Sequence, residues 1–325
     1  MKMISRSTGT PLGFTLILFS ASLLVLASGC QPLRDLMSES GGGIDPASQT
    51  PTQSQLDPTE PAVTEAPTGA VEPDITIAPG TEPGIGSTWE RPADGMLMVY
   101  VPAGEFLMGS NDGEPDEAPE HTVFLDGFWI DQTEVTNAMY GMCEASGGCV
   151  THVVTNSMFQ TNYYGNPDYA NYPTVGVSWQ NASDYCSWAG GRLPSEAEWE
   201  KAARGSDGRT YPWGEGIDFS LANYAGNVGG DTTWVGRYLD AVSPYGALDM
   251  AGNVSEWVND WYDENYYSNS PDENPPGPSM GEHRVMRGGS WYEYEENLRT
   301  TSRVDWTPDK MFSYNGFRCA RDAAP

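Results

Sequence analysis

The chain is short of positive charge. Its 16 Lys and Arg face 45 Asp and Glu, a formal net charge of −29. That balance repels phosphate backbones and anionic lipid, so nucleic acid is excluded as a partner. It suits a secreted protein that binds metal cations. Histidine is scarce, with His121, His152 and His283 far apart, and no Cys-x-x-Cys pair or Cys/His cluster occurs. A zinc site is therefore not expected.

Long apolar runs are also missing, except at the N-terminus. Lys2 and Arg6 precede the uncharged run Leu12–Ala27, which is too short and too N-terminal to favour a membrane span. It ends in Leu26-Ala27-Ser28-Gly29-Cys30. Small residues followed by cysteine resemble a lipobox, with cleavage before Cys30 and acylation of its sulfur. Residues 1–30 are thus expected to be a lipoprotein export signal; the alternative is an ordinary signal peptide. Residues 31–88 have almost no large apolar side chains and are rich in Pro, Thr, Ser, Gly, Glu and Gln. Such a stretch cannot bury enough surface to offset its chain entropy, so a disordered acidic tether is expected.

What remains, 89–325, has the length of one domain. The chain as a whole carries 11 Trp, 17 Tyr and 37 Gly. Apart from Cys30 there are four cysteines, Cys143, Cys149, Cys186 and Cys319. An even number in an exported domain implies disulfides, and four cysteines allow three pairings. Cys143 and Cys149 enclose Glu-Ala-Ser-Gly-Gly, flexible enough for a short loop.

Met96–Val101 and Glu105–Met108, joined by Pro102-Ala103-Gly104, read as a hairpin. Thr122–Ile130 reads as a strand pair or a strand bulged at Gly127. Thr133 is expected to cap a helix over Glu134–Ala145, with Glu134 in its first turn. Ser178 should cap a second helix ending at Gly190-Gly191. Ser195 and Glu198 form a capping box for a third, which stops at Gly205. Residues 206–283, dense in Gly, Pro, Asn and Asp, should be mostly irregular and held by cross-links or metal.

Several segments then appear in one order: GEFLMGS from Gly104, EAPEHTVFLDGFWI from Glu117 and TEVTN from Thr133. PTVGVSW from Pro173, AGGRLPSEAEWEKAARG from Ala189 and YPWG from Tyr211 follow. DMAGNVSEW from Asp249, RVMRGGSW from Arg284 and NGFRCA from Asn315 complete the set. Together they resemble the formylglycine-generating enzyme, or sulfatase-modifying factor, family across nearly all of 89–322. The resemblance implies a compact, irregular α+β fold, distantly similar to C-type lectin-like folds. It also implies a Cys186–Cys319 disulfide.

Members of that family include copper oxidases that make formylglycine, non-haem iron enzymes, and exported or kinase-linked domains without a demonstrated reaction. The oxidases need two thiolates after the GGS triplet to hold Cu(I). Counting from Ser290 gives Tyr292 and Asn297; aligning the triplet gives Glu293 and Leu298. None carries sulfur, so copper is not expected, nor a catalytic residue. Three scattered histidines do not suit the iron chemistry either.

Calcium is implied instead, as a structural ion. By resemblance, Asp249 and Glu256 would give carboxylates, and Gly252 and Val254 carbonyls, to a hard cation that accepts six to eight oxygens. A second site would use Asn223, the Tyr224 carbonyl and Asp231, with Asn227 as an alternative to Asp231. The remaining candidate is the cleft around Ser290, Trp291, Tyr292 and Glu293, with Tyr294, Glu295, Glu296, Trp306 and Tyr314. Ser290 has no His/Asp arrangement that would make it a nucleophile. Aromatics beside carboxylates suit carbohydrate, peptide or cation recognition. The expected protein is a lipid-anchored envelope protein that binds a protein, peptide or carbohydrate; the alternative is an active or altered oxidoreductase.

Overall fold

The apolar runs of this sequence are short, and so are its strands. A computed structural model describes residues 83–323 except 228. Cys30, the expected export signal and nearly all of the expected 31–88 tether lie outside the described residues. Ten strands form three sheets: β1 (Thr88–Glu90), β2 (Leu97–Val101), β3 (Gly104–Met108), β4 (His121–Leu125), β5 (Phe128–Asp131), β6 (Ser255–Trp261), β7 (Arg284–Arg287), β8 (Val304–Trp306), β9 (Asn315–Phe317) and β10 (Ala320–Asp322). Three helices join them: α1 (Asn137–Ala145), α2 (Trp179–Trp188) and α3 (Glu196–Arg204). The expected α+β architecture of low regular content is the one observed.

The first sheet has the order β1-β2-β5-β10, the second is β3-β4, and the third is β8-β7-β6-β9. β2 and β3 therefore do not form the expected hairpin. β3 pairs antiparallel with β4, from Gly104↔Leu125 to Met108↔His121. The carbonyls of the intervening turn are used elsewhere: buried Lys201 donates from Nζ to Pro102 O at 2.9 Å and to Gly104 O at 2.8 Å. The Thr122–Ile130 run likewise splits, with β4 and β5 in different sheets. At the break, a Cβ on Gly127 would lie 2.2 Å from the Tyr100 hydroxyl.

Helix starts follow side-chain chemistry. Ser178 caps α2 and Ser195 and Glu198 make a capping box for α3, as the sequence predicts; Asn181 completes a box at α2 as well. α1 differs. Its cap is Thr136, whose hydroxyl accepts from Met139 N, and the helix begins at Asn137. Thr133 donates instead to the Glu134 carbonyl. Glu134 is wholly buried before the helix and not in its first turn. Two threonines three apart offer two caps, and burial of Val135 and Glu134 selects the later one.

Trp199 on α3 sits at the centre of the core with Val99, Phe106, Val123, Ile130, Met250 and Val258. Buried ion pairs tie this core to the irregular part. Arg287 reaches Glu196 and Glu200 on α3 and donates to the carbonyls of Thr300 and Thr301. Arg318 spans both oxygens of Glu256 at 2.7 Å each. Disulfides join Cys143 to Cys149 and Cys186 to Cys319. The second ties α2 to the chain after β9. Among the described residues of 206–283, largely irregular as expected, β6 is the one long regular element.

Candidate functional site: the cleft after β7

β7 ends at Arg287, and Gly288 and Gly289 then turn the chain at φ 89° and 65°. A side chain at Gly289 would bring its Cβ to 2.8 Å from Asn297 O and 2.9 Å from Leu298 Cδ1. Only glycine permits that approach, so the turn packs the 297–298 segment against the start of the cleft.

Ser290 follows, wholly buried. Its hydroxyl donates to Glu293 Oε2 at 3.0 Å, and Ser255 at the start of β6 donates to the same oxygen at 3.0 Å. Tyr292 N in turn donates to the Ser290 hydroxyl. The Glu293 carbonyl accepts from Ala225 N at 2.9 Å, which latches the 223–225 segment to the cleft. Burial pushes the Glu293 carboxyl above the ordinary glutamate range, and the two serine hydrogen bonds pull against that rise. Both serine hydroxyls are thus orienting groups for a carboxylate. Leu298 is wholly buried against Tyr211, Ala222, Tyr224 and Ala251.

Aromatic rings run along one side. Phe159 meets Trp291 at 6.5 Å and Trp291 meets Tyr292 at 5.6 Å. Tyr292 stacks on Tyr314 at 5.5 Å, Tyr314 on Phe312 at 4.8 Å, and Phe312 meets Trp306 edge-on at 4.9 Å. Tyr292 is 61% exposed, Tyr294 68% and Phe159 63%. Trp291 itself is buried, with its Nε1 bonded to Ser313 O. Burial, then the charge of Glu293, pushes the Tyr314 hydroxyl upward. Glu295 and Glu296 are exposed, as a solvated loop should be.

Asp249 and Asn253 both adopt positive φ in the DMAGNVSEW turn, at 55° and 63°. Asp249 is buried and accepts from Gly236 N. Glu256 gives its oxygens to Arg318 and to Trp199 Nε1 at 2.8 Å. Beside them the structure places a carboxylate that sequence reading assigned to a helix, Glu134. Asn253 Nδ2 donates to Glu134 Oε1 at 2.9 Å, and the buried Glu134 carboxyl lies within hydrogen-bond reach of the Asp249 side chain. Burial, then the charges of Asp249 and Glu256, pushes Glu134 well above the ordinary range; burial also raises Asp249. Three buried carboxylates facing one guanidinium leave excess negative charge that a cation or protons must offset.

The donor set fits a hard cation only in part. Asp249, Glu134 and the carbonyls of Gly252 and Val254 are oxygen donors, but Glu256 is already committed to Arg318. Among the described residues, no group of three or more His, Cys, Asp or Glu forms a ready metal cage. At the second predicted position, Asn223 Oδ1 is buried and unpartnered. Asp231, however, accepts from Ser157 Oγ, Phe159 N and Thr232 N, so it anchors the Phe159 loop. The Tyr224 carbonyl accepts from Asn227 N.

A fold of this kind, with an α3 capping box, an RGGSW turn and a β6–β9 core, defines a domain class. Residues 87–323 match the sulfatase-modifying factor enzyme 1-like domain, and the chain belongs to that family. It is 40% identical over 246 residues to the serine/threonine-protein kinase pkn1 of Chlamydia caviae, covering 69% of this chain and 38% of that one. It thus spans well under half the length of that relative. It is 36% identical over 302 residues to the formylglycine-generating enzyme of Streptomyces coelicolor, covering 76% of this chain and 95% of the enzyme. Among solved structures, PvdO from Pseudomonas aeruginosa superposes with a TM-score of 0.63 at 28% identity, covering 74% of this chain and all of PvdO.

Proposed function

We propose that this chain is an exported, lipid-anchored surface protein that uses the cleft to bind a protein, peptide or carbohydrate ligand without oxidising it. The observation that carries this reading is what stands at the two copper-cysteine positions. Leu298 is sealed in an apolar cluster, and Glu293 is fixed by two serine hydroxyls. The four domain cysteines are all in disulfides, so the described residues offer no thiolate to Cu(I). The stacked Tyr292, Tyr314 and Phe312 supply flat apolar faces at low entropic cost, as recognition surfaces require. Lipid anchoring would fall on Cys30, and a Cys30→Ser protein would be released from membranes while keeping its fold.

The test is direct. Purified protein supplied with copper and a cysteine-bearing sulfatase peptide should give no formylglycine by mass spectrometry. Glycan and peptide arrays should give ligands whose binding Tyr314→Ala abolishes. Formylglycine in the first assay overturns the reading. The second reading, an active or altered oxidoreductase, is favoured by the similarity to a named formylglycine-generating enzyme, and the same assay decides it.

We also propose that a structural calcium ion offsets the buried charge of Glu134 and Asp249, with the Gly252 and Val254 carbonyls as further donors. A Ca²⁺ ion there would supply positive charge to a loop-rich segment and no chemistry.

A further inference from the structure

We infer that the cleft selects a ligand bearing a basic side chain, a lysine or arginine of an extended peptide, seated on Glu293 beside the Tyr292–Tyr314 stack. The inference rests on the reading of the cleft as a binding surface and names the chemistry of what it binds.

Four observations converge. First, both serine hydroxyls are spent on one oxygen, Glu293 Oε2. The other oxygen, Oε1, takes no hydrogen bond from the described residues and is not sealed from solvent. Ser290 is wholly buried and Ser255 nearly so, which makes them a fixed cradle and not competing surface groups. Second, among the described residues Glu293 has no Lys, Arg or His at ion-pair distance. Asp94, Glu117, Asp131, Glu196, Glu198, Glu200 and Glu256 have such a partner, and Glu134, Asp231, Asp249 and Asp260, which have none, are all buried, whereas Glu293 is partly open to solvent. Third, the neighbouring faces are tyrosine rings, whose quadrupoles attract cations. Fourth, the net charge of −29 draws basic ligands and repels acidic ones.

A half-buried carboxylate gains most from a full positive charge, because a charge-assisted hydrogen bond is about twice as strong as a neutral one. A neutral sugar hydroxyl would offer less, and would be preferred only if the carboxyl stayed protonated. Binding of a basic group should therefore weaken as pH falls through the raised Glu293 pKa.

The experiment uses the full-length protein and two blocked pentapeptides, four glycines around a central lysine or a central norleucine. Norleucine keeps the alkyl stem and removes the charge. Binding is followed by NMR titration. The lysine peptide should bind about tenfold more tightly. Glu293→Gln should remove that preference, and Ser255→Ala should reduce it if the glutamine variant fails to fold. Tyr314→Ala should weaken both peptides. Equal binding of the two peptides, no binding of either, or a preference that survives Glu293→Gln overturns the inference. Equal binding lost in Tyr314→Ala leaves the aromatic binding surface intact while removing the basic preference. A failure of every arrayed ligand removes both.

Discussion

Replacing Arg287 by methionine should loosen the cleft as well as the core. The guanidinium is 1% exposed and makes four bonds: 3.2 Å to Glu196, 2.6 Å to Glu200, 2.6 Å to Thr300 O and 3.1 Å to Thr301 O. Methionine fills much of the volume, so the loss is chiefly of bonds and charge. Glu196 keeps Arg303, and Glu200 keeps Arg204 and Gly109 N. Two carbonyls lose a charged donor and one carboxylate oxygen, Glu200 Oε2, is left buried. Breaking a buried pair from one side costs about 3–5 kcal/mol. For a domain of this size that is a fall in melting temperature of roughly 6–20 °C. Calorimetry and urea titration of the disulfide-intact protein would measure it. A loss below about 1 kcal/mol would refute the view that Arg287 carries buried charge for the α3 acids, since exposed pairs cost that little.

Three further outcomes are expected. Replacing Cys186 and Cys319 by serine opens a link with a sequence separation of 133, and chain entropy assigns it about 5 kcal/mol, measurable by denaturant titration. Asp260 is buried beside Glu196 and its pKa is pushed up to about 8, chiefly by burial and then by that charge. The folded state therefore holds a proton that the unfolded chain releases near pH 4. Stability should rise as pH falls from about 8 towards 4, and Asp260→Asn should flatten that slope in urea titrations at several pH values. Calcium at about a hundredfold over its dissociation constant should add about 2.7 kcal/mol. Glu134→Gln should reduce that gain, and unchanged melting with and without EGTA would refute the calcium proposal.

The local chemistry of this fold was legible from sequence, and the long-range pairing was not. Ser195 with Glu198 declares α3 because a capping box is complete within one turn. The signal that joins β3 to β2 is local, whereas in the fold both edges of β2 are taken by β1 and β5 and β3 pairs with β4. Glu134 was placed on a helix because Thr133 and Thr136 are equivalent caps until burial chooses. The cleft was legible through what its two positions lack. The cradle was not, because Ser255 and Glu293 come together only when β6 and β7 pair.

Both ends of the cleft segment are clamped to one strand. Glu256 of β6 pairs with Arg287 on one side and with Gly316 on the other. Where the segment leaves and where it returns are thus two strand spacings apart, roughly 10 Å. Between those clamps Leu298, Thr300, Thr301 and Arg303 anchor the segment in the core, while Tyr292, Tyr294, Glu295 and Glu296 form an exposed face. Its rings and acids can be rewritten, by natural variation or in the laboratory, while the Arg318–Glu256 lock and the Cys186–Cys319 link stay untouched. A scaffold so arranged can change what it recognises without having to relearn how to fold.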